Sequence, residues 1–189
     1  MSATNAPFGV RAVFHPSGSI RQRTLQGFTS IPSAAVYKGD LIKLTGDGAI
    51  AAIVAANDAC VGIFEGCEYN TADGTPVISP YWPASLSGVT GIKWYYTPFN
   101  PGMECEIQAG GSIAVTAIGD SADIVIAAGN ANTGISGSYM NTTLKGAAAV
   151  GNFRIMGLGG QLDNAWGDSY TIVRVQIAKN QILTEVNSI

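Results

Sequence analysis

The chain has 189 residues, enough for one domain with a substantial core and short for two. Charged residues are only 12% of it, 47% of its residues are hydrophobic and 24 are glycine, a sparse-charge composition that suits a surface covered by other chains. Net charge is −3, but residues 1–39 hold Arg11, Arg21, Arg23 and Lys38 with no Asp or Glu, so a segment of +4 precedes a body of −7; an acidic body excludes a phosphate-binding surface of clustered Lys and Arg.

The opening "MSATNAPFGVRAVFHPSGSIRQR" alternates single apolar residues with Gly, Pro and Ser, so residues 1–33 are expected to form an extended N-terminal arm. It contains no continuous apolar stretch of the kind a secretory leader needs. Residues 34–189 then read as a single β-rich body. "VYKGDLIKL", "ACVGIFEGCEY", "GIKWYYT", "MECEIQ", "SIAVTAI", "DIVIAA", "NFRIMGL" and "YTIVRVQIA" are short β-branched or aromatic runs separated by turn residues. In the last of them Val173, Val175 and Ile177 share one face, and Ile172, Arg174 and Gln176 the other. Helical periodicity is absent, so the expected fold is all-β, an antiparallel barrel or sandwich with little or no helix.

Between the first two runs, "LIKLTGDGAIAAIVAA" matches the G-x-G-x-x-A dinucleotide pattern at Gly46, Gly48 and Ala51, but Asp-Gly between apolar runs also marks a tight hairpin. Asp47 inside the loop and the β-branched run after it favour the hairpin. The longest apolar run, "AIAAIVAA", is less than half of a bilayer span. "SPYWPASLSG" and "TPFNPG" read as loops. Residues 127–151 form a long small-residue excursion with one short strand near Ser138 to Thr143.

Candidate chemistry is thin. His15 is the single histidine and lies on the arm, a poor place for a base that must be held within hydrogen-bond reach. Glu104 and Glu106 share a strand face, and Tyr81, Trp82, Trp94, Tyr95 and Tyr96 are aromatics that serve either as core or interface anchors or as a carbohydrate platform. Asp120, Asp123, Asp163 and Asp168 fit turns, without the spacing of a calcium loop. Cys60, Cys67 and Cys105 form no C-x-x-C pair and read as buried thiols. No catalytic residue, metal or cofactor is expected.

The order of "NAPFGVRAVFHPSGS", "VYKGDLIKL", "VGIFEG", "ECEIQAGGSIAVTAIGDSADI" and "FRIMGLGGQLDNAWGDSYTIVRVQIAKNQ" resembles that of the capsid cement, or decoration, proteins of tailed bacteriophages, over nearly the whole chain. The resemblance implies a non-enzymatic β-rich protein, commonly a homotrimer, that binds the outer surface of the major capsid protein shell and clamps neighbouring capsomers. It implies assembly in the host cytoplasm, residence on the virion, and no nucleic-acid, membrane or small-molecule partner. The matching positions Pro7, Phe8, Gly9 and Arg11 become candidate capsid contacts. Phe14 as an apolar anchor, Arg21 and Arg23 as partners for carboxylates, and His15 as a contact residue join them. The alternative is a carbohydrate-binding head-fibre or tail module using Tyr81, Trp82, Trp94 and Tyr96.

Overall fold

A computed structural model describes residues 4–28, 30–45, 50–52, 56, 58–100 and 102–182. The fold is all-β and antiparallel, with one short 3-10 turn among the described residues. The first six-stranded sheet has the order β1 (Arg11–Phe14), β10 (Glu104–Gln108), β14 (Ile172–Ile177), β13 (Phe153–Leu158), β11 (Ser121–Val125) and β12 (Tyr139–Leu144). It curls until β12 returns to β10, where the Gly110 amide donates to the Met140 carbonyl at 2.9 Å and Ala109 bridges Met140. Curling covers the β12 edge and leaves β1 as the outlying strand.

The second sheet has the order β2 (Arg23–Gln26), β9 (Thr90–Pro98), β6 (Gly62–Asn70), β4 (Leu41–Leu44) and β5 (Ile50–Ala52), with β7 (Pro76–Ser79) also paired to β6. A two-stranded ribbon, β3 (Val36–Tyr37) with β8 (Tyr81–Trp82), covers one face of it. The hairpin reading of "LIKLTGDGAIA" holds, since Leu44 pairs with Ile50 and Ile42 with Ala52; Gly46, Asp47 and Gly48 lie outside the described residues.

Two hydrophobic cores share the second sheet as a wall. Strand alternation explains the sharing, because Leu41 and Ile63 point into the first core while their neighbours Ile42 and Phe64 point into the second. The first core fills the curled sheet with Cys105, Ile107, Ile124, Met140, Phe153, Ile155, Val173 and Val175. The alternation read in β14 is therefore real: Val173 and Val175 are fully buried, and Arg174 is paired with Glu104 on the other face. The second core is aromatic. Trp82 and Trp94 stand 5.7 Å apart, with Phe64 edge-on to Trp94 and Tyr69 edge-on to Trp82.

A bulge at Gly66 sets this pattern. It adds a residue to β6 opposite β9, so Phe64, Cys67 and Tyr69 all reach the second core, and Glu65 and Glu68 fall on the polar face. A Cβ at Gly66 would stand 3.0 Å from the Ser79 carbonyl oxygen, which leaves little room for any other residue.

Several expectations are corrected. "SIAVTAI" is not a strand: Val115–Ala117 is a 3-10 turn whose Ala117 amide donates to the Ala114 carbonyl, with Ile113 and Ala117 tucked into the first core. "SPYWPASLSG" contains a strand, β8. Asp123 lies within β11, not in a turn, and pairs with Lys145 at 2.5 Å. The N-terminal segment is extended but does not hang free, because β1 pairs with β10 and β2 with β9.

Candidate functional site: the N-terminal segment and its clasp

Residues 4–26 run along one sheet and then the other, and backbone contacts fix them at three places. At the start, the Ala6 amide donates to Gln108 Oε1 at 3.0 Å, and Gln108 Nε2 donates to the Thr4 carbonyl at 3.0 Å. Next, Gly9 donates to the Ser138 carbonyl and Val10 to the Gly39 carbonyl. Finally, β1 and β2 enter the sheets.

Gly9 explains why the crossing is so close. It has φ +71°, and a Cβ there would lie 2.5 Å from the Gly39 oxygen and 2.7 Å from Ser136 Cβ. Gly39, at φ +94°, returns the same tightness toward the Phe8 oxygen, 2.6 Å from where its Cβ would be. Val10 is consequently buried in the first core.

Arg11 has a partner inside the molecule. Its Nη2 donates to Glu106 Oε2 at 2.7 Å, and its guanidinium lies 4.7 Å from the centre of the Phe8 ring. Glu106 also accepts from the Gly160 amide at 2.9 Å and from Gln161 Nε2 at 2.8 Å. Burial pushes the Glu106 carboxyl up, but these donors outweigh it and hold it below the usual carboxylate range. Glu104, two residues back on the same face, pairs with Arg174 at 3.3 Å. The two carboxylates thus serve cross-strand pairing on the outside of the sheet.

His15 closes a turn: its Nδ1 accepts from the Ser17 amide at 3.1 Å, and the Gly18 amide donates to the His15 carbonyl at 2.9 Å. Phe14 is half exposed, and Val13 and Ile20 are also exposed. Arg21 and Arg23 are exposed and make no ion pair among the described residues. Pro7 is half-buried and borders a shallow depression with Ala128 and Ser136.

The aromatic candidates divide differently. Trp82 and Trp94 are fully buried and Tyr96 nearly so, which makes them core residues and removes them from any surface platform. The Trp82 indole N–H donates to the Pro32 carbonyl at 2.9 Å, tying residues 30–33 to the second core. Tyr81 is half-buried and stacks on Tyr37, ring centres 5.5 Å apart.

Three features were not among the sequence candidates. One is a groove of about 620 Å³ between the two sheets, walled by Phe8, Arg11, Ile20, Lys38, Glu65 and Ile135. A second is the polar face of the second sheet, where Glu68 accepts from Lys93 Nζ at 2.5 Å and from the Tyr95 hydroxyl at 2.6 Å, holding its carboxyl low. The third is Asp40. Its Oδ2 accepts from the Tyr37 amide at 2.8 Å, and its Oδ1 from the hydroxyls of Ser136 at 2.5 Å and Ser138 at 3.3 Å. The visible signal for Asp40 is its place as the first carboxylate of the chain, directly after the basic segment.

The 127–151 excursion is held from the same point: Lys38 donates to the Gly134 carbonyl and Ser136 to the Lys38 carbonyl, both at 2.9 Å. Among the described residues no group of three His, Cys, Asp or Glu is placed to hold a metal ion, and no helix is long and apolar enough to cross a membrane. Comparison with known proteins returned no matching family model, no matching curated protein and no matching solved structure.

Proposed function

We propose that this chain is a structural capsid decoration protein, which binds the outer surface of a phage shell through its N-terminal segment and clamps neighbouring copies of the major capsid protein. The observation that carries the proposal is the segregation of charge. A carboxylate-free segment, fixed to both sheets by its backbone, presents Phe14, Arg21 and Arg23 to solvent above an acidic body. Exposed arginines beside an exposed aromatic suit a protein surface bearing carboxylates, since the guanidinium fork matches a carboxylate and the ring supplies buried area. Cementing then sums many modest interfaces over many copies, so no single strong site is required. In this reading the protein is not an enzyme, uses no cofactor, acts as a homotrimer and resides on the virion.

The test is decoration of empty shells by a Phe14→Ser/Arg21→Glu/Arg23→Glu variant, counted as copies per particle. Occupancy is expected to collapse while the melting temperature stays within a few degrees of the parent, because none of the three side chains is buried. Full occupancy by the variant would overturn the assignment of this segment. The second reading, a carbohydrate-binding head-fibre or tail module, retains only Tyr81 of its four aromatics within reach of solvent.

A further inference from the structure

Three distant parts of the chain meet around Asp40. Its own turn, Tyr37 to Asp40, is closed by the Asp40 amide donating to the Tyr37 carbonyl at 2.9 Å, and Gly39 of that turn receives Val10 of the N-terminal segment. The excursion arrives through Ser136 and Ser138, whose hydroxyls both face Asp40 Oδ1, and Ser138 also receives Gly9 through its carbonyl. We propose that Asp40 is the proton-sensitive centre of a clasp, which fastens the N-terminal segment and the 134–138 loop tightly when its carboxyl is protonated and less tightly when it is ionised.

The hydrogen bonds permit both states. With the carboxylate ionised, both serine hydroxyls donate to Oδ1 and the Tyr37 amide donates to Oδ2. With Oδ1 protonated, it donates to Ser136 Oγ, Ser138 Oγ still donates to Oδ1, and Tyr37 is undisturbed; Ser136 Oγ, which also accepts from the Ser138 amide at 3.0 Å, then turns its own proton away from Asp40. Against that one exchanged donor stands the charge, which the buried setting disfavours.

Among the described residues no cation forms an ion pair with Asp40. On its own turn Asp40 has Tyr37 and Lys38, and Lys38 Nζ is 3.5 Å from Glu65 of β6. On the N-terminal segment Arg11 is engaged with Glu106 of β10, and His15 with Ser17. Residues 127–138 contain no ionisable side chain. Burial accordingly raises the Asp40 carboxyl above its ordinary range, against the opposing pull of Ser136, Tyr37 and Ser138. A raised folded pKa means that stabilisation is complete below the unfolded carboxylate range and is lost as pH rises through the folded value.

The experiment is amide hydrogen exchange on the full chain between about pH 4 and about pH 8, corrected for intrinsic exchange and read at Gly9, Val10, Lys38 and Ser136. In the parent, protection of these four amides relative to core amides of β14 is expected to fall by at least about threefold as pH rises. Asp40→Asn is expected to abolish that dependence, and any contribution of Glu106, common to both proteins, cancels in the comparison. Ser136→Ala/Ser138→Ala removes two bonds that favour the charged form, so the transition midpoint should move to higher pH. A parent profile with no transition, one that Asp40→Asn leaves intact, or a midpoint unmoved by the serine variant would each overturn the proposal.

Discussion

Glu106 and Asp40 are both buried carboxylates with donors aimed at them, yet protonation acts on them in opposite directions. The Glu106 donors include a guanidinium and the net effect is a depressed pKa, so its stabilisation is full above the ordinary carboxylate range and is lost as pH falls through the folded value. Asp40 has neutral donors only, and its stabilisation runs the other way. Replacing Glu106 with Gln should cost about 2 kcal/mol near neutral pH, because a charge-assisted bond to Arg11 and a bond to Gly160 or Gln161 are weakened inside a buried site. Denaturant unfolding at several pH values would check this: the parent should lose the difference toward low pH, where the two proteins converge. A gap that persists below the carboxylate range would mean that Glu106 acts through shape and not through its charge.

Strands and turns carry the next set of consequences. Gly9→Ala forces a positive φ on an L-residue and drives its methyl into the Gly39 carbonyl, so a loss of about 2–4 kcal/mol is expected in denaturant unfolding. Trp82→Ala removes a fully buried indole from the second core together with its bond to Pro32, for about 3–5 kcal/mol, and the near-ultraviolet circular dichroism of the tryptophan pair should collapse with it. How much of this was legible in the sequence depends on the range of the interaction. The alternation of β14 and the Asp-Gly hairpin are local patterns and were readable. Misreading Val115–Ala117 follows from trusting β-branched residue types where a three-residue turn satisfies the backbone instead. Whether Trp82 was core, interface or platform stayed open in the sequence because nothing local marks Val36 as the cross-strand partner of β8. Most of the site was illegible for the same reason: Arg11 meets Glu106 and Asp40 meets Ser136 across some 95 residues, and a single sequence carries no trace of pairing at that distance.

At the scale of the molecule, the N-terminal segment is structural as well as exposed. Deleting residues 1–30 would remove β1, β2, Val10 and the Gly9 crossing, so the truncated chain should unfold at markedly lower denaturant concentration than the parent. A truncation that kept the parent's midpoint would show that the two sheets stand without it. Loss of capsid binding by such a truncation would therefore not identify contact residues, which is why the surface variant is the better probe of attachment. The two cores share one sheet, and the three free cysteines divide between them: Cys60 and Cys105 in the first, Cys67 in the second. Burial pushes the Cys60 and Cys67 thiols up to about 12 and Cys105 higher still, so none is an effective nucleophile in the closed state. Each thiol thus becomes an internal clock. Alkylation by iodoacetamide during slow denaturant pulses, read peptide by peptide in a mass spectrometer, would time the opening of the aromatic core at Cys67 separately from that of the curled sheet at Cys60 and Cys105.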